Sequence, residues 1–247
     1  MTMREIEGVA GWTRLLGGFV ILLGLLQGPA AALGSLRGEW GLAVAAVTVG
    51  GALLVQRALF ASHSTKAITS LGLAAPRPRG VWAALAVCCL VLCAYPLFLL
   101  PTGAAFSTYP NALWLALGIF LQGGVAEEIV FRGYLYGHIR RRHSFWRAAL
   151  ISTVPFATAH LYMFTTMAWP IALAALVISV LLSFPFAWLY ELGGRTIWAP
   201  AIAHAVVQGA VKLLVIDAPS FPLIWMAASV AALWLVFLIR PSADSRF

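Results

Sequence analysis

A series of eight long apolar runs, separated by charges or turn residues, restricts the fold more than any other feature of this chain. The runs cover residues 15–34, 40–61, 80–101, 111–137, 146–164, 169–190, 197–216 and 221–239. A bilayer core is about 30 Å thick and needs roughly 20 apolar residues per helix, which is close to the length of each run. The runs are continuously apolar, whereas the strands of a membrane barrel would alternate. The sequence therefore predicts an all-α, polytopic membrane helix bundle with about eight transmembrane helices.

The composition and the connections indicate one membrane-embedded domain. Of 247 residues, 62% are hydrophobic and only 10% are charged, unlike a soluble globular domain. The connections between runs are short, and even the longest polar one, at about 61–80, leaves no room for a soluble domain. We therefore expect a single domain over residues 1–247, with membrane lipid as its surroundings and its chemically informative motifs at about 111–216.

Basic residues predict the orientation, because cytoplasmic loops collect Lys and Arg. With eight spans and a cytoplasmic N-terminus, thirteen of the 16 Lys and Arg residues fall on the cytoplasmic side, two fall on the other side and one lies in the membrane. The thirteen are Arg4, Arg14, Arg57, Lys66, Arg77, Arg79, Arg140, Arg141, Arg142, Arg147, Arg195, Arg240 and Arg246. Both termini should then be cytoplasmic. Topology accounts for the net charge of +8, and we expect no nucleic-acid partner.

The first run imitates a secretory signal peptide. Arg4 and Arg14 precede a short apolar core, and Ala30-Ala31-Ala32 resembles a cleavage site. Because the apolar character continues to Leu36, we expect this segment to be retained. Its removal would leave the later spans unchanged.

A small set of polar residues survives within the apolar runs. A charge at the bilayer centre costs roughly 2.5 to 3.5 kcal/mol even on the lenient insertion scale, so such residues usually mark a functional site or pair with one another. The set consists of Glu127, Glu128 and Arg132 in the fourth run, His160 in the fifth, and His204 and Gln208 in the seventh.

Spacing separates the roles of the two glutamates. Glu128 and Arg132 are four residues apart with the glutamate first, the favourable helical arrangement for an ion pair. Glu127 lies about 100° around the helix, without a basic partner one turn away. We predict that Glu128 pairs with Arg132 and that Glu127 is left to act as a general base. The alternative is that the three residues only brace the bundle.

Depth in the membrane predicts that these residues meet. At 1.5 Å per residue from the predicted cytoplasmic ends, Glu127 and His160 each lie roughly 20 Å deep and His204 roughly 10 to 14 Å deep. We expect a site in the middle or cytoplasmic half of the bilayer, reached from the cytoplasmic side. Four glycines of the fourth run should let neighbouring helices approach closely. They are Gly123, Gly124, Gly133 and Gly137.

Three motifs in order resemble one family. EEIVFRG matches the pattern EExxxR, FATAH matches FxxxH, and RTIWAPAIAHAVVQ matches the third motif of the CPBP family, which comprises the CAAX prenyl endopeptidases and the bacterial Abi-type bacteriocin-processing or immunity proteases. The motifs run from Glu127 to Gln208, about a third of the chain. The resemblance implies a multi-pass protein, which we expect in the bacterial inner (plasma) membrane.

The resemblance also implies a chemistry. It suggests intramembrane proteolysis of a peptide or membrane-protein substrate, with Glu127 and His160 activating a water molecule. His204 and Gln208 would stabilise the oxyanion, and Glu128 and Arg132 belong to the same catalytic set. One position departs from the family, which usually has Asn, sometimes Asp, where this chain has Gln208. The extra methylene moves the amide by more than about one ångström unless the helix shifts, although the amide can still donate a hydrogen bond.

Metal dependence is an alternative within the same resemblance. On the preferred interpretation, the enzyme is of the glutamate type and requires no cofactor. Two histidines and one glutamate could nevertheless supply three zinc ligands with water in the fourth position, and these would be Glu127, His160 and His204. The HExxH motif of many zinc proteases is absent.

Two other function classes use similar residues. A proton-coupled transporter could employ the Glu and His residues as a relay, but it would predict repeated halves with matching broken helices, which the sequence does not show. A non-catalytic immunity or peptide-binding membrane protein would keep the fold and tolerate the loss of Glu127. Cleavage of a peptide by the purified protein distinguishes both from a protease.

Overall fold

The computed structural model describes residues 6–34, 38–60 and 64–240, and most of them are helical. The α-helices in chain order are α1 (Gly8–Leu33), α2 (Gly41–Phe60), α3 (Ser64–Ser70), α4 (Pro78–Leu92), α5 (Ala94–Thr102), α6 (Ala112–Ile119), α7 (Gly137–Arg140), α8 (Phe145–His160), α9 (Met163–Thr166), α10 (Trp169–Leu192), α11 (Trp198–Leu213) and α12 (Phe221–Trp234). A 3₁₀ turn, Leu235–Leu238, continues α12. The predicted helical membrane bundle is confirmed.

Seven of the described helices are long and apolar enough to cross a membrane. They are Gly8–Leu33, Gly41–Phe60, Pro78–Thr102, Ala112–Arg140, Phe145–Thr166, Trp169–Leu192 and Phe221–Leu238. Each coincides with a predicted span. The prediction for 197–216 needs correction, because α11 has only 16 residues and is followed by a strand. At 1.5 Å per residue α11 is roughly 24 Å long, shorter than a bilayer core of about 30 Å.

A small sheet adds to the expected all-α architecture. β1 (Phe106–Thr108) pairs antiparallel with β2 (Leu214–Ile216), and Ser107 lies opposite Val215. The pairing joins the connection that follows α5 to the one that follows α11. We call this end of the molecule the sheet end.

The opposite end of the bundle carries the arginines, and we call it the basic end. Arg142 pairs with Glu7, which immediately precedes α1. Arg140 and Arg195 both pair with Glu191 near the end of α10. Because α11 begins just after Arg195 and runs into β2, the basic end and the sheet end lie at opposite ends of α11.

Ala112–Arg140, which we call the fourth span, is not a regular α-helix. Two π-helical segments, Phe120–Ala126 and Ile129–Tyr136, interrupt it, and Glu127 and Glu128 lie between them. Wide turns of this kind are rare in proteins and frequent at functional sites. The irregular backbone therefore coincides with the residues that the sequence singled out.

Two apolar clusters form the core, and the polar residues lie where they meet. The first cluster is built mainly from α1, α2, the fourth span and α8. The second is built mainly from α4, α5, α10, α11 and α12. The fourth span packs closely against α11 across this seam. Side chains of the fourth span and α11 can therefore meet inside the molecule.

Candidate active site

Glu128 is the centre of a buried polar cluster. Arg132 Nη1 donates to Glu128 Oε1 at 3.1 Å, and both side chains are almost completely buried. The predicted ion pair is therefore present. His204 Nδ1 lies 2.7 Å from the same oxygen. Since an ionised carboxylate can only accept hydrogen bonds, Nδ1 of His204 is the donor. The sequence had not predicted this second partner.

Glu127 faces the other nitrogen of the same histidine. Its Oε2 lies 3.7 Å from Nε2 of His204, and 17% of its side chain is exposed. Among the ion pairs of the described residues, none joins Glu127 to a basic residue one turn away on its own helix, as predicted, but α11 brings His204 to it. His204 thus lies between two glutamates, with one nitrogen toward each.

His160 is the last residue of α8. Its Nδ1 lies 2.8 Å from the carbonyl oxygen of Phe156. A carbonyl only accepts, so Nδ1 carries the hydrogen and Nε2 of the neutral ring is an acceptor. The ring lines the same cavity as Glu127 and His204. His160 can therefore offer an acceptor nitrogen to a water molecule or a substrate.

Aromatic rings hold the charged groups in place. The Arg132 guanidinium lies 4.9 Å from the centre of the Phe156 ring and 5.2 Å from that of Phe186. The Phe186 ring also stacks on His204, with centroids 5.0 Å apart. Cation–π contacts of this kind are strongest where water is excluded. Phe156 lies in a recognised motif, but Phe186 was missed because nothing distinguishes it within the apolar run 169–190.

Gln208 fits against a glycine of the fourth span. A Cβ at Gly123 would collide with Oε1 of Gln208, so the absent side chain makes room for the amide. The Gln208 side chain, one methylene longer than the family's usual Asn, thus reaches the space beside Gly123. A Cβ at Gly124 would come within 2.8 Å of the Ala201 carbonyl oxygen. The predicted close approach of a neighbouring helix is therefore confirmed at both glycines.

The other two predicted glycines also lie at close contacts. Leu71 and Tyr190 approach Gly133 and Gly137, respectively. Leu71 lies just beyond α3 and Tyr190 lies on α10. Small residues thus let three different elements pack against the fourth span.

One large cavity joins the candidate residues. It has a volume of about 920 Å³, and Glu127, His160, His204 and Gln208 all line it. From these residues it extends to Glu39, Tyr109 and Lys212 near the sheet end. The expected convergence of these side chains on one cavity is present. The cavity leads away from the basic end, because the packing there is closed.

The zinc alternative fits this arrangement poorly. Among the residues that the structure describes, no group of three or more His, Cys, Asp and Glu side chains is placed to hold a metal ion. Nδ1 of His204 is committed to Glu128, and its Nε2 faces Glu127 at 3.7 Å. Glu127, His160 and His204 therefore do not form a ligand set here.

Fold and site together define an integral, multi-pass membrane protein with a buried glutamate–histidine site. Residues 109–210, the segment that carries all three motifs, match a family model described as "Type II CAAX prenyl endopeptidase Rce1-like". The resemblance to the CAAX prenyl endopeptidases is therefore confirmed over this segment.

A curated relative points in the same direction. A stretch of 95 residues is 30% identical to the protein named "Putative membrane peptidase YdiL" of Bacillus subtilis (strain 168). The match covers 38% of this chain and 34% of that protein, so it spans about a third of the relative's length.

Proposed function

We propose that this protein is an intramembrane endopeptidase that hydrolyses a peptide bond of a membrane-associated or C-terminally processed substrate. The observation that supports this most directly is the convergence of Glu127, His160 and His204 around one cavity inside a membrane bundle. The family of the matched segment is one of membrane proteases, which supports the same reaction class.

Glu127 and His160 would activate the water. Glu127 is the glutamate that faces the cavity, whereas Glu128 is fully buried. We assign Glu127 as the general base that takes a proton from water while the water oxygen bonds to the scissile carbonyl carbon. Nε2 of His160 accepts the other hydrogen of the water and orients it. Glu127 then returns the proton to the leaving nitrogen as the C–N bond breaks.

His204 and Gln208 would stabilise the oxyanion. The Gln208 amide is a hydrogen-bond donor in any state, whereas Nε2 of His204 donates only when both ring nitrogens carry hydrogen. Donors aimed at a developing oxyanion are typically worth about 3 to 4 kcal/mol each.

Glu128 and Arg132 act in this scheme through His204 and are positioning residues. Glu128 holds Nδ1 of His204, and Arg132 holds Glu128 while lying between two phenylalanine rings. Partners of this kind fix the ring orientation and decide which nitrogen faces the reacting groups.

Cleavage by the purified protein tests the proposal. The protein is reconstituted in lipid vesicles with a set of apolar candidate peptides, and new peptide termini are identified by mass spectrometry. We expect Glu127→Gln and His160→Ala each to lower the rate by at least about 100-fold, the lower range for a lost general acid or base. Glu7→Gln, which changes an exposed glutamate at the basic end, is the matched control and should retain full activity.

Three outcomes would contradict parts of this proposal. A fully active Glu127→Gln protein would exclude the proposed base, and peptide binding without new termini would favour the non-catalytic alternative. Loss of activity in a chelator, restored by zinc and accompanied by stoichiometric zinc in the purified protein, would replace the metal-free mechanism.

A further inference from the structure

We infer that the substrate enters as an apolar peptide segment from the non-cytoplasmic side, through the mouth of the cavity at the sheet end. This inference rests on the proposed function, because it names the substrate class and the entry route for the same site. It differs from the route that the sequence alone suggested.

The first argument is the direction of the cavity. Along the fourth span, the lining residues continue from Glu127 through Gln122 to Leu115, toward the start of the span. Along α11 they continue from His204 through Gln208 to Lys212, toward β2. The two elements run in opposite chain directions, yet both lead from the site to the sheet end. The mouth therefore lies between the connections at that end.

The second argument is the closure of the basic end. Every residue from Ile129 to Ile139 is buried, which seals the fourth span on the other side of the glutamates. Glu191 adds a polar contact there, because it accepts a hydrogen bond from Tyr136 and pairs with Arg140 and Arg195. Water and peptide can therefore reach Glu127 from the sheet end and not through this packed layer.

The third argument identifies the side of the membrane that the mouth of the cavity faces. Thirteen of the 16 basic residues belong to the segments assigned to the cytoplasmic side, and those that the structure describes gather toward the basic end. Cytoplasmic loops carry this excess of Lys and Arg, so the basic end is cytoplasmic. The sheet end, where the cavity opens, then faces the other side.

The fourth argument concerns the occupant. The walls between the site and the mouth are mostly apolar, and three methionines, Met163, Met167 and Met226, line them. Methionine side chains adapt to different apolar surfaces, which suits a wall that receives a varied chain. Nearly all residues from Leu161 to Ile171, which directly follow His160, have exposed side chains. An apolar peptide segment matches this lining, whereas a charged soluble peptide would lose its hydration there.

Cysteine accessibility tests the route without requiring catalysis. The three native cysteines, Cys88, Cys89 and Cys93, are replaced by alanine, and Ser179→Cys introduces one thiol that lines the cavity. Ser183→Cys, one turn further along α10, is the matched buried control, and Thr65→Cys on α3 reports the basic end. All variants are also made with Glu127→Ala, so that labelling is independent of proteolysis.

A membrane-impermeant thiol reagent is applied to intact spheroplasts and to inverted vesicles. We expect labelling of Ser179→Cys from the outside of spheroplasts, labelling of Thr65→Cys only in inverted vesicles, and no labelling of Ser183→Cys in either. Labelling of Ser179→Cys only in inverted vesicles would overturn the inferred route. Because Glu127→Ala is present, this outcome is independent of whether the protein is a protease.

Protection of the same thiol tests the substrate class. A leucine-rich, membrane-inserting peptide is compared with a charged, water-soluble peptide of equal length, both in vesicles of the same lipid. The apolar peptide should slow the labelling of Ser179→Cys several-fold, and the charged peptide should leave it unchanged. Protection by the charged peptide alone, or by neither, would overturn the assignment of an apolar segment.

Discussion

Glu128 and Glu191 are both buried carboxylates paired with arginines, yet their surroundings differ. Oε1 of Glu191 accepts from the Tyr136 hydroxyl at 2.9 Å and pairs with Arg140, while its Oε2 pairs with Arg195 at 3.5 Å. Glu128 uses a single oxygen, Oε1, for both Arg132 and His204. Within the described residues, Oε2 of Glu128 and Nη2 of Arg132 have no hydrogen-bond partner.

The difference suggests different roles for the Glu128 cluster and the Glu191 cluster. Around Glu191 both oxygens are engaged, and the side chains of Arg140 and Arg195 remain partly exposed, although within the described residues the buried Nε atom of Arg140 makes an ion pair without a well-aligned hydrogen bond. Around Glu128, the side chain of Arg132 is almost completely buried, and Oε2 of Glu128 and Nη2 of Arg132 have no hydrogen-bond partner within the described residues. A large cavity lies beside this cluster. Unsatisfied buried polar groups are costly and uncommon in native proteins, and a catalytic role is one of the few explanations for them. We propose that the Glu191 cluster stabilises the basic end, whereas the Glu128 cluster positions residues of the proposed active site.

The largest expected effect is the loss of stability when the buried Arg132 is replaced. Arg132→Gln leaves Glu128 charged and buried without its main partner, and breaking a buried pair in this way typically destabilises by about 3 to 5 kcal/mol. Arg195→Gln is the matched change at the other cluster. Because Arg195 is partly exposed and Glu191 keeps two partners, its loss should cost within about 1 kcal/mol. Thermal unfolding in detergent, followed by tryptophan fluorescence, compares the two.

Cleavage activity and its dependence on pH give a second comparison of the Arg132→Gln and Arg195→Gln proteins. Folded Arg132→Gln protein should cleave slowly with a changed dependence on pH, because Glu128 no longer holds His204 as before. Arg195→Gln protein should keep the wild-type pH profile. Equal loss of thermal stability in the two variants, or an unchanged pH profile for Arg132→Gln, would mean that both clusters are only structural.

Much of this architecture followed from the sequence. The charges of Glu127, Glu128 and Arg132 stand out against apolar surroundings, and helical periodicity fixes which two can pair. Continuous apolar runs of bilayer length define seven of the spans directly. The length of α11 was overestimated, because a helix covered by the bundle and followed by a strand need not span the lipid itself.

Other features arise only from tertiary contacts. β1 and β2 have three residues each and lie more than 100 positions apart, so no local pattern indicates their pairing. Phe186 acquires its role only when α10 packs beside Arg132 and His204. The cavity's direction depends on which end of the bundle is closed, whereas depth counted from charged loops gives only a position along the membrane normal.

The next largest effect concerns how Gln208 is positioned. Gly123→Ala places a methyl group where Oε1 of Gln208 lies, and that flexible side chain must move. Gly124→Ala instead brings a methyl group against the Ala201 backbone, which cannot move without shifting α11. We expect Gly123→Ala to lower kcat by up to about 100-fold, as for a misplaced oxyanion donor, with little change in stability. Gly124→Ala should mainly lower the unfolding temperature.

A second substitution controls for unrelated effects of Gly123→Ala. In the double variant Gly123→Ala with Gln208→Asn, the shorter asparagine side chain avoids the new methyl group. This variant should therefore recover part of the kcat that Gly123→Ala loses. Single Gln208→Asn, with Gly123 retained, should be less active than the wild type because the amide no longer fills its place. If the double variant is less active than both single variants, Gln208 does not act from the position described.

The smallest expected effect is at the mouth of the cavity, where the Tyr109 hydroxyl donates to Glu39 at 3.2 Å. The nearby Glu39 carboxylate raises the pKa of Tyr109 above its ordinary value of 10.0, and the hydrogen bond adds to this. An acid whose pKa is raised on folding keeps its contact below the ordinary pKa and loses it as pH rises through the raised one. The contact should therefore persist across the neutral range.

Because Tyr109 is exposed and Glu39 is only half-buried, Tyr109→Phe should change the labelling rate of Ser179→Cys by less than about twofold, with no measurable loss of stability. Glu39→Gln should bring the pKa of Tyr109 back toward 10.0, which the ultraviolet absorption of tyrosinate reports when Tyr109→Phe protein is subtracted. A mouth held shut by this contact would instead show much faster labelling in Tyr109→Phe. That result would mean that the hydrogen bond between Tyr109 and Glu39 controls access to the cavity.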